Sequence, residues 1–264
     1  MPGALTMAPA TVLNFRTFGP DDATEVLVHV HGFAISGSYL VPTAEALSDR
    51  FRSVVPDLPG FGRTPKVPGA LTFESMADHL ARLLDTLGLD KVTLVGNSMG
   101  CPVVCEFDHR HHGRLARAIL VSPAGGLHSK PFLRAAHQLA RDAVLEPPSL
   151  ARVAAPDYLR FGVPDTVRLF AAMTRYPTVE RFLNLSVPAL AVIGSRDPLI
   201  PGPERVYEVM NGHSASIDAA VIIGAAHAIN WSHPVELSAL VRRWIDDPST
   251  WHVGLPSAVR PIRP

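Results

Sequence analysis

Short runs of β-branched and aliphatic residues, each closing in a turn, alternate along the chain with longer stretches whose apolar positions return every three or four residues. That is the pattern of parallel strands joined by crossover helices: strands covered on both faces read as continuous apolar runs, while each covering helix needs only one apolar stripe. Strands are predicted at Glu25 to His31 (EVLVHVH), Ser53 to Pro56 (SVVP), Lys91 to Val95, Arg117 to Ser122 (RAILVS), Ala189 to Gly194 (ALAVIG) and Ala219 to Ile223 (AAVII). Helices are predicted over Pro42 to Arg50, from Thr72 to a stop at Gly88, from Met99 onward, over Pro203 to Met210 and over Pro234 to Asp246. The second is the clearest. Phe73, Met76, Ala77, Leu80, Leu83, Leu84 and Leu87 share one stripe, and Glu74, Asp78, Arg82 and Asp85 fall largely off it.

Between Pro123 and Val187 the strand rhythm stops. Stretches rich in Ala, Leu and Arg replace it, interrupted by Pro147, Pro148, Pro156, Pro164 and Pro177. The expected organisation is therefore an α/β core from residues 1–122 and 188–247, a helical cap inserted at 123–187, and a C-terminal tail at 248–264 that, like the proline-marked N-terminus, adds little to the fold.

Composition narrows the function. With 264 residues, 47% of them hydrophobic, the chain can bury the core of one large domain. Lys plus Arg equals Asp plus Glu at 24 each, so no overall field draws it to nucleic acid or an anionic membrane, and a small-molecule partner is the expectation. The first residues lack a basic, then apolar, secretory pattern and no run is long enough to span a bilayer, which points to a cytoplasmic protein. Monomer and homodimer stay equally open. Cys101 and Cys105, four apart on one predicted helix, read as buried thiols.

The chemistry enters at Val92 to Gly100, VTLVGNSMG, where an apolar run breaks into G-x-S-x-G. This spacing places Ser98 on a sharp strand-to-helix turn, with Gly96 and Gly100 lacking the Cβ atoms that would clash as the two elements converge. A serine hydroxyl is a weak nucleophile at neutral pH, so it needs a base, a group to orient that base, and donors for the oxyanion. Asp197 follows the strand ALAVIG in GSRDPLIP, and His227 follows AAVII in GAAHAIN. Both positions are strand C-terminal ends, the edge at which Ser98 lies and at which parallel sheets bind ligands. In HVHGF, at His29 to Phe33, Gly32 allows a close turn, so the backbone N–H groups of Phe33 and Met99 can face the oxyanion.

The motifs HGF, DLPGFGRTP, GNSMG, GSRDPLIP and GAAHAIN, in this order across residues 29 to 230, make the chain resemble the α/β-hydrolase superfamily. The resemblance implies an α/β-hydrolase fold, a mostly parallel sheet flanked by helices with an inserted helical cap. It also implies Ser98 as nucleophile, His227 as general base and then acid, and Asp197 as the residue that fixes the imidazole. The other position at which the family carries its acid, after RAILVS, holds Ser122, Pro123 and Ala124 and offers none. Asp57 is implied to brace its turn. Relatives that open epoxides or displace halide carry an aspartate where this chain has Ser98.

The expected reaction is hydrolysis of a small to medium, mostly apolar ester or lactone through a Ser98 acyl-enzyme, with no cofactor and no metal. Two alternatives share the triad or the fold: a carbon–carbon bond hydrolase of the meta-cleavage-product type, whose oxyanion loop usually continues HGGGPG where this chain reads HGFAISG, and a non-hydrolytic receptor or lyase-like biosynthetic protein. Candidate pocket residues are Trp231, four positions after His227, with Phe132, Tyr158, Phe161, Phe170 and Met173 of the cap. The cluster DHRHHGR at the end of the helix after Ser98 suits a helix C-terminus better than a metal site. The arginines of the cap read as solvated charge more than as a carboxylate clamp.

Overall fold

The computed structural model describes residues 13–123, 132–211 and 217–262. Among these, eight strands form one sheet: β1 (Phe15–Phe18), β2 (Val26–Val30), β3 (Arg52–Pro56), β4 (Val92–Asn97), β5 (Leu115–Val121), β6 (Ala189–Gly194), β7 (Ile217–Ile222) and β8 (Val259–Pro261). Their spatial order is β1-β3-β2-β4-β5-β6-β7-β8, parallel throughout except at the two edges, where β1 and β8 pair antiparallel. The register sets Val30 beside Gly96 and Asn97 beside Val121, so the C-terminal ends of β2, β4 and β5 lie level.

Alternation along each strand divides the core into two faces. Val28, Val30, Leu94 and Leu120 meet α2 (Phe73–Thr86) and α3 (Gly100–Arg110) through Met76, Leu80, Leu84, Val104 and Phe107. Leu27, Val95, Ile119, Val121 and Val192 instead meet α10 (Pro234–Asp246) through Leu237, Leu240, Val241 and Trp244. Each fully buried side chain of this kind contributes about 1.5–3 kcal/mol. Helix α2 starts and stops where its sequence directs: Thr72 accepts from the Ser75 N–H at 3.2 Å, and Gly88 follows the last turn at φ +65°.

The expected strands and helices are present, with shifted ends. Helix α1 (Val41–Ala46) is shorter than anticipated and gives way to turns up to β3. Strand β4 runs two residues further, through Asn97, because its last positions stay buried and paired with β5. Strand β1 was not anticipated; FRTF is short, half polar and held at an edge by β3. Between β5 and β6 lie four helices, α4 (Phe132–Leu145), α5 (Pro148–Phe161), α6 (Val163–Arg175) and α7 (Thr178–Leu183). Their prolines open helices more than they break them: Pro148 and Pro164 sit in first turns, where a missing N–H costs nothing, and Pro156 alone lies inside α5.

The expectation for the tail is corrected. Trp251 is 1% exposed in the same core as Trp244, and β8 completes the sheet edge beside β7. Proline content signalled an appendage, whereas a single buried indole and a three-residue strand make the segment part of the core. After β6 and β7 the chain continues into α8 (Pro203–Met210) and α9 (Ile229–Ser232) respectively.

Candidate active site

Strand β4 and helix α3 meet at Ser98, whose φ of +55° lies in the left-handed region that a non-glycine residue enters only when its surroundings hold it there. The flanking glycines explain how. A Cβ on Gly100 would stand 2.2 Å from the Val30 carbonyl oxygen, and one on Gly96 would stand 2.8 Å from that of Gly100. The Ser98 N–H donates to the Val121 carbonyl at 2.9 Å, locking the turn to β5.

His227 and Asp197 meet at the same sheet edge. The imidazole Nδ1 lies 2.8 Å from Asp197 Oδ2; a carboxylate only accepts, so Nδ1 carries a proton, and in the neutral ring Nε2 keeps its lone pair. Asp197 is itself oriented by the Leu199 N–H, which donates to Oδ1 at 2.8 Å. Their loops touch at Gly194, where a Cβ would come 2.3 Å from the Ala226 carbonyl oxygen. Burial opposes charge on the imidazole, but Asp197, followed by Asp142 and Glu146, outweighs it and raises its pKa to about 9. Among the described residues no hydrogen bond joins the Ser98 hydroxyl to His227; the elbow is tied to the histidine loop instead by Asn97 Nδ2, which donates to the His227 carbonyl at 3.4 Å.

The HGF loop lies against Ser98, since a Cβ on Gly32 would be 3.3 Å from the serine Cβ. Both Phe33 and Met99 are buried, and among the described residues neither backbone N–H has a hydrogen-bond partner. A buried donor without a protein partner is a candidate position for a ligand oxygen. The loop is braced from behind. Gly32 N–H donates to Tyr39 Oη at 2.8 Å, and that hydroxyl donates to Asn97 Oδ1 at 2.5 Å. His31 Nε2 accepts from the Leu58 N–H, so its Nδ1 is the protonated nitrogen and donates to the Gly32 carbonyl, each at 2.9 Å. Asp57 accepts from Arg16, Gly37 N–H and Arg63 N–H, a bracing arrangement remote from proton transfer.

Ser98 is 7% and His227 8% exposed, and α4, α5 and α6 reach this edge through Asp142, Tyr158 and Phe170. Of the candidate pocket residues, Phe170 and Tyr158 stand 5.4 and 6.4 Å from the Phe33 ring, and Met173 is buried in the core shared with it. Phe161 goes elsewhere, stacked on Phe61 at 4.5 Å, and Trp231 is a seam residue whose Nε1 donates to Ser149 Oγ of α5. The Phe132 side chain lies outside the described residues. A cavity of about 290 Å³ opens away from Ser98, lined by Lys66 and Leu71 of the turn after β3 and Asp165 and Arg168 of α6. Among the described residues no three His, Cys, Asp or Glu side chains are grouped to hold a metal, and in DHRHHGR the His111 ring pairs with Asp78. Cys101 and Cys105 are buried free thiols.

The sequence reading missed Tyr39, Asn97 and the acids of the helical segment. Asp142 Oδ1 accepts from the His227 N–H at 3.2 Å, Glu146 Oε1 from the Ala228 N–H at 2.5 Å, and Asp157 Oδ2 from the Ser36 N–H at 2.8 Å. Burial raises the Asp142 pKa to about 7 and moves Glu146 in the same direction. One signal was present in the sequence: Gln138 and Asp142 of α4, and Glu146 just after it, recur every four residues among apolar positions.

A family model described as the alpha/beta hydrolase fold matches residues 25–176. The "Putative carbamate hydrolase RutD" of Rhizobium rhizogenes is 27% identical over 260 residues, 88% of this chain and 97% of that protein. The 2-hydroxy-6-oxo-2,4-heptadienoate hydrolase of Pseudomonas putida is 34% identical over 125 residues, 47% of this chain and 45% of its own. Among solved structures, a thermophilic esterase from Thermogutta terrifontis, with malate bound, superimposes with a TM-score of 0.68 at 26% identity, covering 89% of this chain and 93% of the other.

Proposed function

Because the chain belongs to the alpha/beta hydrolase fold family and is a hydrolase by its relatives, we propose that it cleaves a small to medium, mostly apolar carboxylic ester or lactone through an acyl-enzyme on Ser98. The observation that carries this reading is the left-handed serine set at the same sheet edge as the His227–Asp197 pair. Ser98 Oγ attacks the acyl carbon as His227 Nε2 takes its proton, and Asp197 stabilises the imidazolium that forms. The Phe33 and Met99 N–H groups receive the oxyanion. His227 then protonates the leaving alkoxide, which departs as an alcohol or, from a lactone, stays tethered to the acyl group. A water molecule, deprotonated by His227, attacks the acyl-enzyme and releases the acid, returning the proton to Ser98. Residues 123–187 act as a cap, and Phe33, Tyr158, Phe170 and Met173 give the pocket its apolar character. The chemistry uses no cofactor or metal.

Fluorophosphonate labelling of wild type and Ser98→Ala, paired with turnover of p-nitrophenyl esters from acetate to decanoate, tests the proposal. Labelling that depends on Ser98, together with ester turnover, is the expected result. The likeness over 125 residues to a heptadienoate hydrolase favours one second reading, carbon–carbon bond hydrolysis, for which labelling would occur without ester turnover. Absence of labelling would favour a receptor.

A further inference from the structure

We propose that the helical segment positions the catalytic loops through three carboxylates: Asp142 of α4 and Glu146 just after it hold the His227 loop, and Asp157 of α5 holds the Phe33 loop. The inference rests on the reading of Ser98, His227 and Asp197 given above. Its basis is a repeated contact. Three acids within residues 142–157 each accept a backbone N–H from a loop 82 to 121 positions away, at His227, Ala228 and Ser36. Asp142 and Asp157 are only 6% and 9% exposed, so each N–H they hold has little water to turn to if the carboxylate is removed.

These contacts differ from the anchors that merely attach the segment to the core. Tyr176 donates to Glu106, and Ser186 donates twice to Asp108, both acids on α3 and neither touching a catalytic loop. The three positioning acids instead reach the residue that carries the base, the residue after it, and the loop that carries an oxyanion donor. Docking of α4 and α5 through them positions the His227 loop and the Phe33 loop together, and loss of these contacts frees both.

Asp142 and Glu146 also act by charge. The imidazole is faced by Asp197 from the turn after β6, by Asp142 from α4 and by Glu146 just beyond it; Tyr158 of α5 faces Asp142, and Tyr39 faces Glu146. No Lys or Arg is paired with either of these two carboxylates among the described residues; in the segment, Arg160 pairs with Asp157 and Arg181 with Glu106. Their field therefore favours the imidazolium that forms when Ser98 gives up its proton.

The test pairs truncating with conservative variants. Asp142→Ala, Glu146→Ala and Asp157→Ala should each lower kcat about ten- to a hundredfold through misplacement of a loop, while Asp142→Asn, Glu146→Gln and Asp157→Asn, whose amide oxygen still accepts the N–H, should recover most of the loss. Asp142→Asn should also move the ascending limb of kcat/KM toward acid by about one pH unit, since a negative neighbour of His227 is gone. Ser186→Ala, which cuts an anchor away from both loops, should leave that limb in place. Thermal unfolding of every variant separates loss of fold from loss of position. Alanine variants within about twofold of wild type, or amide variants no better than alanine with an unmoved limb, would overturn the proposal. If wild type turns over no ester, the proposed reaction fails, and titration of the His227 ring by NMR decides the positioning role instead. A lower midpoint in Asp142→Asn supports it and an unchanged midpoint refutes it.

Discussion

Replacing Tyr39 with phenylalanine removes one oxygen and tests whether the oxyanion loop is held by the network behind it. The hydroxyl is buried, with the residue 2% exposed, and makes two bonds: it accepts from Gly32 N–H at 2.8 Å and donates to Asn97 Oδ1 at 2.5 Å. The ring of phenylalanine fills the same space, so no packing is lost. What remains is a buried N–H and a buried amide oxygen, each without its partner, at about 1–3 kcal/mol apiece and about 2–6 kcal/mol together. For a chain of this length each kcal/mol shifts the melting point by about 2–4 °C, so a drop of roughly 4–24 °C is expected. Gly32 precedes the donor Phe33, and Asn97 precedes Ser98, so turnover should fall with stability. Urea unfolding gives the first quantity, provided the m-value matches wild type, and ester turnover well below the melting transition gives the second. A stability loss under about 1 kcal/mol with unchanged kcat would refute the reasoning, because it would mean the two groups find other partners at no cost.

Three further outcomes follow from the geometry. Asp197→Asn should reverse the donor at His227 Nδ1 and lower kcat by roughly 10⁴ with the fold intact; a loss under about tenfold would move the orienting role to Asp142. Because the imidazole must be neutral to accept the Ser98 proton and its pKa is raised to about 9, kcat/KM should climb with pH well above the ordinary histidine range, and a limb at or below about 6.5 would contradict the field described. Trp251→Ala should cost about 3–5 kcal/mol in urea unfolding. A cost under about 1 kcal/mol would return the tail to the status of an appendage.

Much of this was legible because the deciding interactions are local. The apolar runs of β4 and β6, the stripe of α2, and glycines whose absent Cβ atoms let strand and helix touch are all properties of a few neighbouring residues. The positions of Asp197 and His227 were legible too, since each follows a strand whose end is marked by its sequence. What escaped depends on contacts across the chain. Tyr39 meets Asn97 at a separation of 58 residues and Asp142 meets His227 at 85, and nothing near either residue announces the partner. Trp251 was lost for the opposite reason: the prolines around it spoke louder than one indole. Phe161 and Trp231 are apolar near the site, but stacking on Phe61 and a bond to Ser149 direct them elsewhere.

The strand order has a consequence for a chain emerging from the ribosome. The strained serine needs only its own turn, β2 and β5, all of which precede residue 122. Asp197 and His227 follow β6 and β7, and the outer edge of β7 is filled by Val259–Pro261, later still in the chain. A nascent chain can thus form the Ser98 turn long before it owns the histidine proposed to deprotonate it. On the proposed reading, reactivity arrives with completion of the sheet, so a chain stalled before β7 carries an idle hydroxyl.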